Sequence, residues 1–263
     1  MRLKISHMTE YSYAEPVEFA LQRLRLTPQD GPGQHVVSWQ TSVTGAGREA
    51  VYTDHFGNHV ELVSIDEGVR SISVMAMGEV ETEERNGVFG PHIGYVPLWL
   101  YLRETALTKP GKLVRELARG ATGDGELARM HGLMSAITTV LGYEKGVTGP
   151  DTTAEQALEL KAGVCQDFTH VFIAGARYLG LPARYISGYM LDGTSMNAAS
   201  HAWAEAHIQG LGWVGFDPAN EICPDERYVR LASGLDYADT APVSGMRIGS
   251  GPEAIMVAVS VEQ

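Results

Sequence analysis

The chain is poor in cysteine, with only Cys165 and Cys223 among its 263 residues. Two cysteines cannot form the disulfide framework that holds small secreted folds together, so an apolar core must do so. Hydrophobic residues make up 44% of the sequence, and this length allows a substantial core and more than one domain. We expect both thiols to be reduced, as they are in a cytosolic protein.

Basic residues and long apolar runs are also scarce. Lysine and arginine number 20 against 32 acidic residues, which gives a net charge of -12 at pH 7. Nucleic acids and anionic membranes are bound through basic patches, so this charge argues against both as partners. No apolar run is long enough to span a bilayer, and residues 1–10 turn polar too early for a secretory signal. The sequence therefore predicts a cytoplasmic protein.

Residues 1–85 show the alternation of apolar and polar positions that is typical of strands. The alternating positions are Leu3 and Ile5; Val37, Trp39, Thr41 and Val43; Val60, Leu62 and Ser64; and Ile72, Val74 and Ala76. Gly57 and Asn58 tolerate a positive φ and predict a turn between two of these strands. His55 and His59 flank that turn, where their spacing has no metal-binding geometry. We predict an antiparallel β domain.

Residues 86–150 form a helical connection and the start of a second domain. The segment 86–97 is rich in glycine and proline and predicts a connection. Apolar residues recur at helical spacing over 126–141, and Gly142 ends that helix. A further short helix is expected within 102–122.

Residues 151–263 predict a core of two helices and several strands. The sequence from Asp151 to Glu155 combines a capping residue with a following carboxylate, which starts a helix that runs to about Lys161. A second helix begins near Cys165 and ends before Gly180. Three strands are then expected, over 183–190, 201–208 and 213–217, with one more near the C-terminal end, over 253–261, as part of the same domain.

Cys165 lies one or two residues after Gly163, where the second helix should begin. A thiol is a useful nucleophile only as a thiolate, which the unpaired N–H groups and dipole of a helix N-terminus favour. Gly163 would also leave room for a substrate near the backbone. By itself, a lone cysteine is more often a small buried apolar residue. Its interpretation as a nucleophile depends on its partners.

His201 and Asp217 are the candidate partners, at the head of one predicted strand and the end of the next. A hairpin would place these strands side by side. If its loop has an odd number of residues, His201 becomes a diagonal neighbour of Asp217 on the same face of the sheet. An even number would put Asp217 on the opposite face. We therefore predict a loop of three or five residues. Pro218 holds Asp217 in an extended conformation.

Such an arrangement predicts nucleophilic catalysis. Asp217 would orient the His201 imidazole, and His201 would activate the Cys165 thiol. Asp167 is expected to stabilise the first turn of its helix, and His170, about 140° around that helix from Cys165, to face away. A metal site formed by Cys165, Cys223 and histidines is disfavoured, because none of the spacings suits a metal.

Four segments together carry a resemblance to a known family. They are Gly163–His170, Leu179–Tyr189, His201–Trp203 and Gly212–Pro218, which read GVCQDFTH, LGLPARYISGY, HAW and GWVGFDP. These motifs resemble the bacterial transglutaminase-like superfamily, whose members are often described as candidate cysteine proteases. The resemblance covers about residues 150–245, and residues 1–85 resemble the N-terminal domain that accompanies this subgroup.

The resemblance implies an α+β, papain-like core, in which a cysteine helix packs on an antiparallel sheet, preceded by the β domain. It also implies that Cys165, His201 and Asp217 fill the catalytic positions. The expected activity is hydrolysis of an amide bond in a protein or peptide substrate, without a cofactor or a metal. Transamidation of protein glutamine and non-catalytic peptide binding stay open as alternatives.

Two further residues are candidates for binding the substrate. Trp203 could line the cleft, although aromatic packing within the sheet is the plainer interpretation. Tyr143 could donate a hydrogen bond to the oxyanion beside the Cys165 backbone N–H, with core packing as its alternative role.

Overall fold

The computed structural model describes residues 1–192, 200–248 and 251–263. The strands are β1 (Arg2–Tyr13), β2 (Phe19–Leu24), β3 (Gln34–Thr44), β4 (Ala46–Thr53), β5 (His59–Ile65), β6 (Ser71–Thr82), β7 (Val88–Gly90), β8 (Gly142–Tyr143), β9 (Ala162–Gly163), β10 (Ala183–Met190), β11 (Ser200–Ile208), β12 (Gly212–Phe216), β13 (Tyr228–Gly234), β14 (Val243–Ile248) and β15 (Glu253–Glu262). The helices are α1 (Lys112–Gly120), α2 (Glu126–Val140), α3 (Ala154–Leu160), α4 (Cys165–Tyr178) and α5 (Tyr237–Thr240), with a 3₁₀ helix at Leu98–Leu102.

The N-terminal strands form a sandwich of two antiparallel sheets. One sheet has the order β15-β1-β6-β3, and the other has the order β14-β2-β5-β4. The apolar residues that alternate with polar ones in the sequence form the inner face of the sandwich. Ile72, Val74 and Ala76 are almost completely buried there. Burial of these side chains removes apolar surface from water and supplies the main stabilisation of the sandwich. The predicted antiparallel β domain is confirmed.

Strands from the C-terminal end complete this sandwich. β14 pairs with β2 and β15 pairs with β1, both antiparallel. The strand expected over 253–261 therefore exists, but it extends the N-terminal sheet and not the core sheet, contrary to the sequence-based expectation. Its alternation identifies a strand, but alternation carries no information about the partner strand. The sandwich consequently contains both ends of the described chain.

The second domain packs four helices on a five-stranded sheet of order β13-β10-β11-β12-β7. Helix α4 lies against β11, whose Ala202, Ala204 and Ala206 present small side chains to it. Helices α1, α2 and α3 surround α4 in turn. This is the predicted α+β core, in which a cysteine helix packs on an antiparallel sheet. None of the helices in the described residues is both long and apolar enough to cross a membrane.

Two local features of this domain add detail to the sequence-based predictions. Helix α3 begins within the predicted start signal and is capped by Thr153, whose hydroxyl accepts from the Gln156 N–H at 3.2 Å. The Glu155 carboxylate instead accepts from the backbone N–H groups of Leu113 and Val114, which begin helix α1. An acidic group there satisfies N–H donors that have no partner within their own helix. The segment 86–97, predicted as a connection, also contributes β7, which pairs with β12.

The sandwich covers the free edge of the core sheet, strand β13. The Gln34 amide exchanges hydrogen bonds with the backbone of Arg230, at 2.8 and 3.0 Å. The Asn58 amide does the same with the backbone of Ser233, at 2.8 Å in both directions. Asn58 belongs to the predicted turn, which Asp54 closes by accepting from the Asn58 N–H at 2.9 Å. These side chains take the place of a further strand and protect an edge that would otherwise be open to pairing.

Buried His7 makes the stability of this arrangement sensitive to acid. Its Nδ1 lies 2.8 Å from the Tyr189 hydroxyl of the core, and burial lowers its pKa to about 4. In the unfolded chain the imidazole has an ordinary pKa of about 6.5 and binds a proton more tightly. We therefore expect the neutral His7 side chain to contribute about 3 kcal/mol to the free energy of unfolding. This contribution should be complete above pH 6.5 and should be lost as the pH falls from 6.5 through 4.

Urea unfolding at several pH values tests this prediction. His7→Gln should unfold with a smaller loss of stability between pH 7 and pH 4 than the wild type. His35→Gln, at a histidine whose side chain is 66% exposed, should behave like the wild type. Equal acid sensitivity in all three proteins would contradict the assignment to His7.

Candidate active site

Cys165 is the first residue of helix α4, with Val164 at the N-cap position. The Asp167 carboxylate turns back and accepts from the Val164 N–H at 2.8 Å and from the Thr148 hydroxyl at 2.7 Å. Burial raises the pKa of Asp167, and these hydrogen bonds oppose that shift. Asp167 thus stabilises the first turn, while the N–H groups at the head of α4 have no partner within the helix.

Gly163 has a different role from the one expected. It is buried, and a Cβ built at this position would lie 2.6 Å from the Asp167 carboxylate. Its carbonyl accepts from the Glu144 N–H at 2.8 Å. The absence of a side chain at Gly163 therefore makes room for Asp167 to cap α4, and the space does not face a substrate. Any larger residue here would displace the turn that presents Cys165.

The hairpin between β11 and β12 has a loop of three residues, as predicted. Ile208 pairs with Gly212, and the Leu211 N–H donates to the Ile208 carbonyl at 3.1 Å. Gly212 has a φ of +82°, and a Cβ there would lie 2.0 Å from the Gly90 carbonyl, so no other residue fits. The odd loop length brings Asp217 to the same face as His201.

His201 contacts both of its predicted partners. Its Nε2 lies 2.6 Å from the Asp217 carboxylate, and its side chain is only 11% exposed. Burial lowers the pKa of His201, but hydrogen bonds and charge interactions with Asp217 and Cys165 outweigh burial and raise it to about 10. Because Asp217 occupies Nε2, the remaining ring nitrogen, Nδ1, is left for the thiol. The protonated ring is therefore stabilised on one side by a carboxylate and on the other by a sulfur.

Asp217 is fully buried, and both of its carboxylate oxygens accept hydrogen bonds. Oδ1 accepts from the backbone N–H of Ala219 at 3.0 Å. Oδ2 accepts from the His201 ring, from the Asn220 amide at 2.7 Å and from the Tyr228 hydroxyl at 2.7 Å. Burial raises the pKa of Asp217, and these bonds together with the His201 charge lower it further than burial raises it. Asp217 therefore stays ionised and orients His201.

Asn220 and Tyr228 were not identified from the sequence. Asn220 follows Asp217 by three residues in a turn, and a search for side chains that close the turn after Pro218 would have found it. Tyr228 comes from the start of β13, whose pairing with β10 is not local in sequence. Nothing in its spacing from Asp217 indicates contact.

Of the two candidate substrate-binding residues Trp203 and Tyr143, only Tyr143 is exposed enough to contact a substrate. Trp203 is 1% exposed and stacks behind His201, with ring centroids 6.3 Å apart. It packs within the sheet and positions the imidazole, so it does not line the cleft as a substrate-binding residue. Tyr143 is 54% exposed and not part of the core. Tyr143 pairs with Gly163, two residues before Cys165, and burial raises its pKa, as do the charges of Cys165 and Asp217.

The remaining candidates lie outside this cluster. His170 is buried on the other side of α4, where its Nε2 accepts from the Tyr237 N–H at 3.2 Å, and burial lowers its pKa to about 4. Cys223 is a free, half-buried thiol whose pKa is raised by burial. No group of three or more histidine, cysteine or acidic side chains in the described ranges is arranged to hold a metal ion.

Removal of the Tyr228 hydroxyl should weaken the orientation of His201 without disturbing the fold. Tyr228→Phe deletes one of three hydrogen bonds to Asp217 Oδ2, a loss worth about 1.5–3 kcal/mol for a charged acceptor. We expect kcat/KM on any substrate to fall by roughly tenfold or more, with the fall in kcat. Tyr178→Phe, at the far end of α4, is the matched control and should leave kcat/KM unchanged. Equal activities in both variants would contradict this role for Tyr228.

A cysteine at the head of a helix, with histidine and aspartate on adjacent antiparallel strands, defines the class of thiol enzymes with a papain-like core. Two family models match this chain. Residues 3–81 match the bacterial transglutaminase-like N-terminal region, and residues 111–218 match the transglutaminase-like superfamily. Residues 111–218 are therefore a transglutaminase-like region, and residues 3–81 are the N-terminal region that accompanies it in bacteria.

Relatives extend over nearly the whole chain. An uncharacterized protein of Mycobacterium leprae is 28% identical over 99% of this chain and 98% of its own length. An uncharacterized protein of Mycobacterium tuberculosis is also 28% identical, over 99% of this chain and 92% of its own length. A crystal structure from Cytophaga hutchinsonii, described as "a Putative Cysteine Protease", superposes with a TM-score of 0.81. The superposition covers 100% of this chain and 90% of the Cytophaga hutchinsonii chain, at 22% sequence identity. This extent of superposition establishes that the two proteins share a fold.

Proposed function

We propose that this protein is a cysteine peptidase that cleaves peptide or isopeptide bonds through Cys165, His201 and Asp217. One observation carries the proposal: the His201 ring joins Asp217 at 2.6 Å and interacts with the Cys165 side chain, and its pKa is raised to about 10 by both. An imidazolium beside a thiol favours the thiolate, which is the form that acts as a nucleophile. The helix N-terminus behind Cys165 favours the same charge.

The reaction follows from the positions of these groups. The thiolate attacks the amide carbonyl, and His201 gives its proton to the leaving amine as the carbon–nitrogen bond breaks. One proton of a water molecule then passes to His201 as the water oxygen attacks the thioester, and the carbon–sulfur bond breaks, which releases a carboxylic acid and restores the thiolate and the imidazolium. The negative charge on the carbonyl oxygen needs donors, and the Cys165 backbone N–H and the Tyr143 hydroxyl are the candidates.

Water is the acceptor we propose because it outnumbers any amine unless a site excludes it. An amine that attacked the thioester instead would make the same protein a transamidase. A reducing compartment such as the cytoplasm suits the reaction, since the nucleophile must stay a free thiol, and both cysteines are unpaired.

A peptide library and a protein extract, each incubated with the purified protein, test this proposal. Mass spectrometry should find new carboxyl termini with the wild type and with Cys223→Ala, and none with Cys165→Ala. Repeating the incubation with a fluorescent primary amine separates the two reactions: cleavage without amine incorporation supports a peptidase. Incorporation in excess of cleavage, or no product that depends on Cys165, would overturn it.

A further inference from the structure

The free edges of the N-terminal sandwich differ in how they are protected. Strands β3 and β4 each form one outer edge, and both contain a register shift, between Val36 and Ser38 and between Arg48 and Ala50. Both also carry charged or ionisable side chains, among them Arg48 and Glu49. Bulges and charges of this kind prevent an edge strand from pairing with another chain.

Strand β15 lacks each of these protections. It is the outermost strand of its sheet in the described part of the chain and pairs with β1 in one uninterrupted register. No charged residue and no proline occurs between its terminal residues, Glu253 and Glu262. Ile255, Met256 and Val257 are each more than half exposed, at 54%, 52% and 54%. A flat, apolar edge of this length on a soluble fold indicates an interaction surface.

The sandwich is also open beside this strand. A groove of about 490 Å³ lies between the edge strands β14 and β15, lined by residues that include Tyr13, Gln22, Arg247 and Ile255. The Gln22 side chain is buried, and its Oε1 has no hydrogen-bond partner. A buried amide oxygen without a donor is costly, so this end of the sandwich lacks a covering element.

We propose that β15 pairs with β15 of a second copy of the chain, antiparallel and centred on Met256. In this register Ile255 faces Val257 of the second copy, and Ala254 faces its Ala258. Glu253 then faces Val259, whereas a register centred between Val257 and Ala258, in which the whole of β15 overlaps, would bring Glu253 against Glu262. Like charges directly opposite are destabilising, so the charge pattern disfavours this fully overlapped register and is compatible with the one centred on Met256.

The pairing joins two four-stranded sheets into one of eight strands. Side chains of the second copy that follow the orientation of Ile255 and Val257 then lie over the mouth of the groove. The seven residues from Glu253 to Val259 overlap, a length of roughly 24 Å. An overlap this short buries less than the roughly 1,000 Å² of a stable interface, so the dimer dissociates on dilution.

Sedimentation equilibrium of the full chain between about 1 and 300 μM tests the dimer. The wild type should shift from monomer to dimer within this range. Met256→Lys places two ammonium groups opposite each other and should stay monomeric throughout. Met77→Lys makes the same change on the outer face of the same sheet, at a residue 44% exposed and remote from the edge, and should dimerise like the wild type. A monomeric wild type at 300 μM, or a dimer that survives Met256→Lys, would overturn the proposal.

A cysteine placed on the two-fold axis tests the register independently. In a Cys165→Ala, Cys223→Ala background, Met256→Cys should form an intermolecular disulfide under mild oxidation, because the paired Cα atoms lie about 4.5–5.5 Å apart. Ala258→Cys faces residue 254 of the partner, lies roughly 14 Å from its own copy and should not crosslink. Crosslinking at residue 258 and not at residue 256 would contradict the proposed register, because it would bring the two copies of residue 258 together. Both results are independent of the peptidase activity.

Discussion

Replacing Cys165 by alanine should reduce cleavage of any substrate to the uncatalysed background, a loss on the order of 10⁵-fold or more. In the proposed reaction the thiol supplies the atom that forms the acyl intermediate, and an alanine side chain cannot take over this role. His201 and Asp217 stay in place, because the alanine removes only the sulfur from the head of α4. The Cys165→Ala variant should therefore still bind substrate. Its dissociation constant can be measured by titration with a peptide that the wild type cleaves.

The second cysteine provides the matched control for this loss. Cys223 is also free and half-buried, but it packs against Gly87, just before the outer strand β7 of the sheet. Cys223→Ala should retain activity within about twofold, since the residue lies outside the catalytic cluster. The pair of variants should be compared by initial rates on one substrate and by unfolding in urea. Loss of activity in Cys223→Ala with Cys165→Ala still active would reverse the assignment.

Replacing Glu205 by alanine should destabilise the protein by about 3–5 kcal/mol, the largest effect on stability that we expect from a single substitution. Glu205 is fully buried in β11 and pairs with Arg184 at 2.5 Å and with Arg230 at 3.1 Å. Burial lowers the pKa of Arg230 to about 10, although its interaction with Glu205 opposes the shift. The alanine leaves two guanidinium groups without their shared carboxylate on one face of the core sheet.

An exposed pair separates the effect of burial from the effect of losing a carboxylate. Glu79 pairs with Arg2 on the surface of the sandwich, where the Arg2 side chain is 57% exposed. Glu79→Ala should cost less than about 1 kcal/mol, because water and salt screen such a pair. Urea unfolding of both variants at neutral pH measures the difference. A Glu205→Ala variant within 1 kcal/mol of Glu79→Ala would contradict the proposed importance of the buried carboxylate.

The sequence predicted the local part of this site better than its distant part. His201 and Asp217 are joined by a three-residue hairpin loop, and the parity of such a loop determines which side chains share a face. Tyr228 contacts Asp217 through the pairing of β13 with β10, which no local pattern specifies. Strand β13 itself was missed, since most of its residues are buried on both faces and show no alternation.

The same reason explains the error about the C-terminal strand. The alternation in β15 correctly predicted an extended segment, but its partner is β1, at the opposite end of the sequence. Pairing between segments so far apart depends on the shape of the whole fold. Trp203 and Gly163 show a related limit: their residue types suit a substrate cleft, but burial behind His201 and contact with Asp167 decide their roles.

The rate at which iodoacetamide alkylates Cys165, measured against pH, tests the central claim most directly. If the His201 imidazolium holds a thiolate, the wild-type rate should be nearly constant between about pH 7 and pH 9. In His201→Ala the rate should climb by close to tenfold per pH unit over the lower part of this interval, as for an unpaired thiol with a pKa of about 8.5. A wild-type profile that follows the same climb as His201→Ala would contradict the thiolate–imidazolium pair.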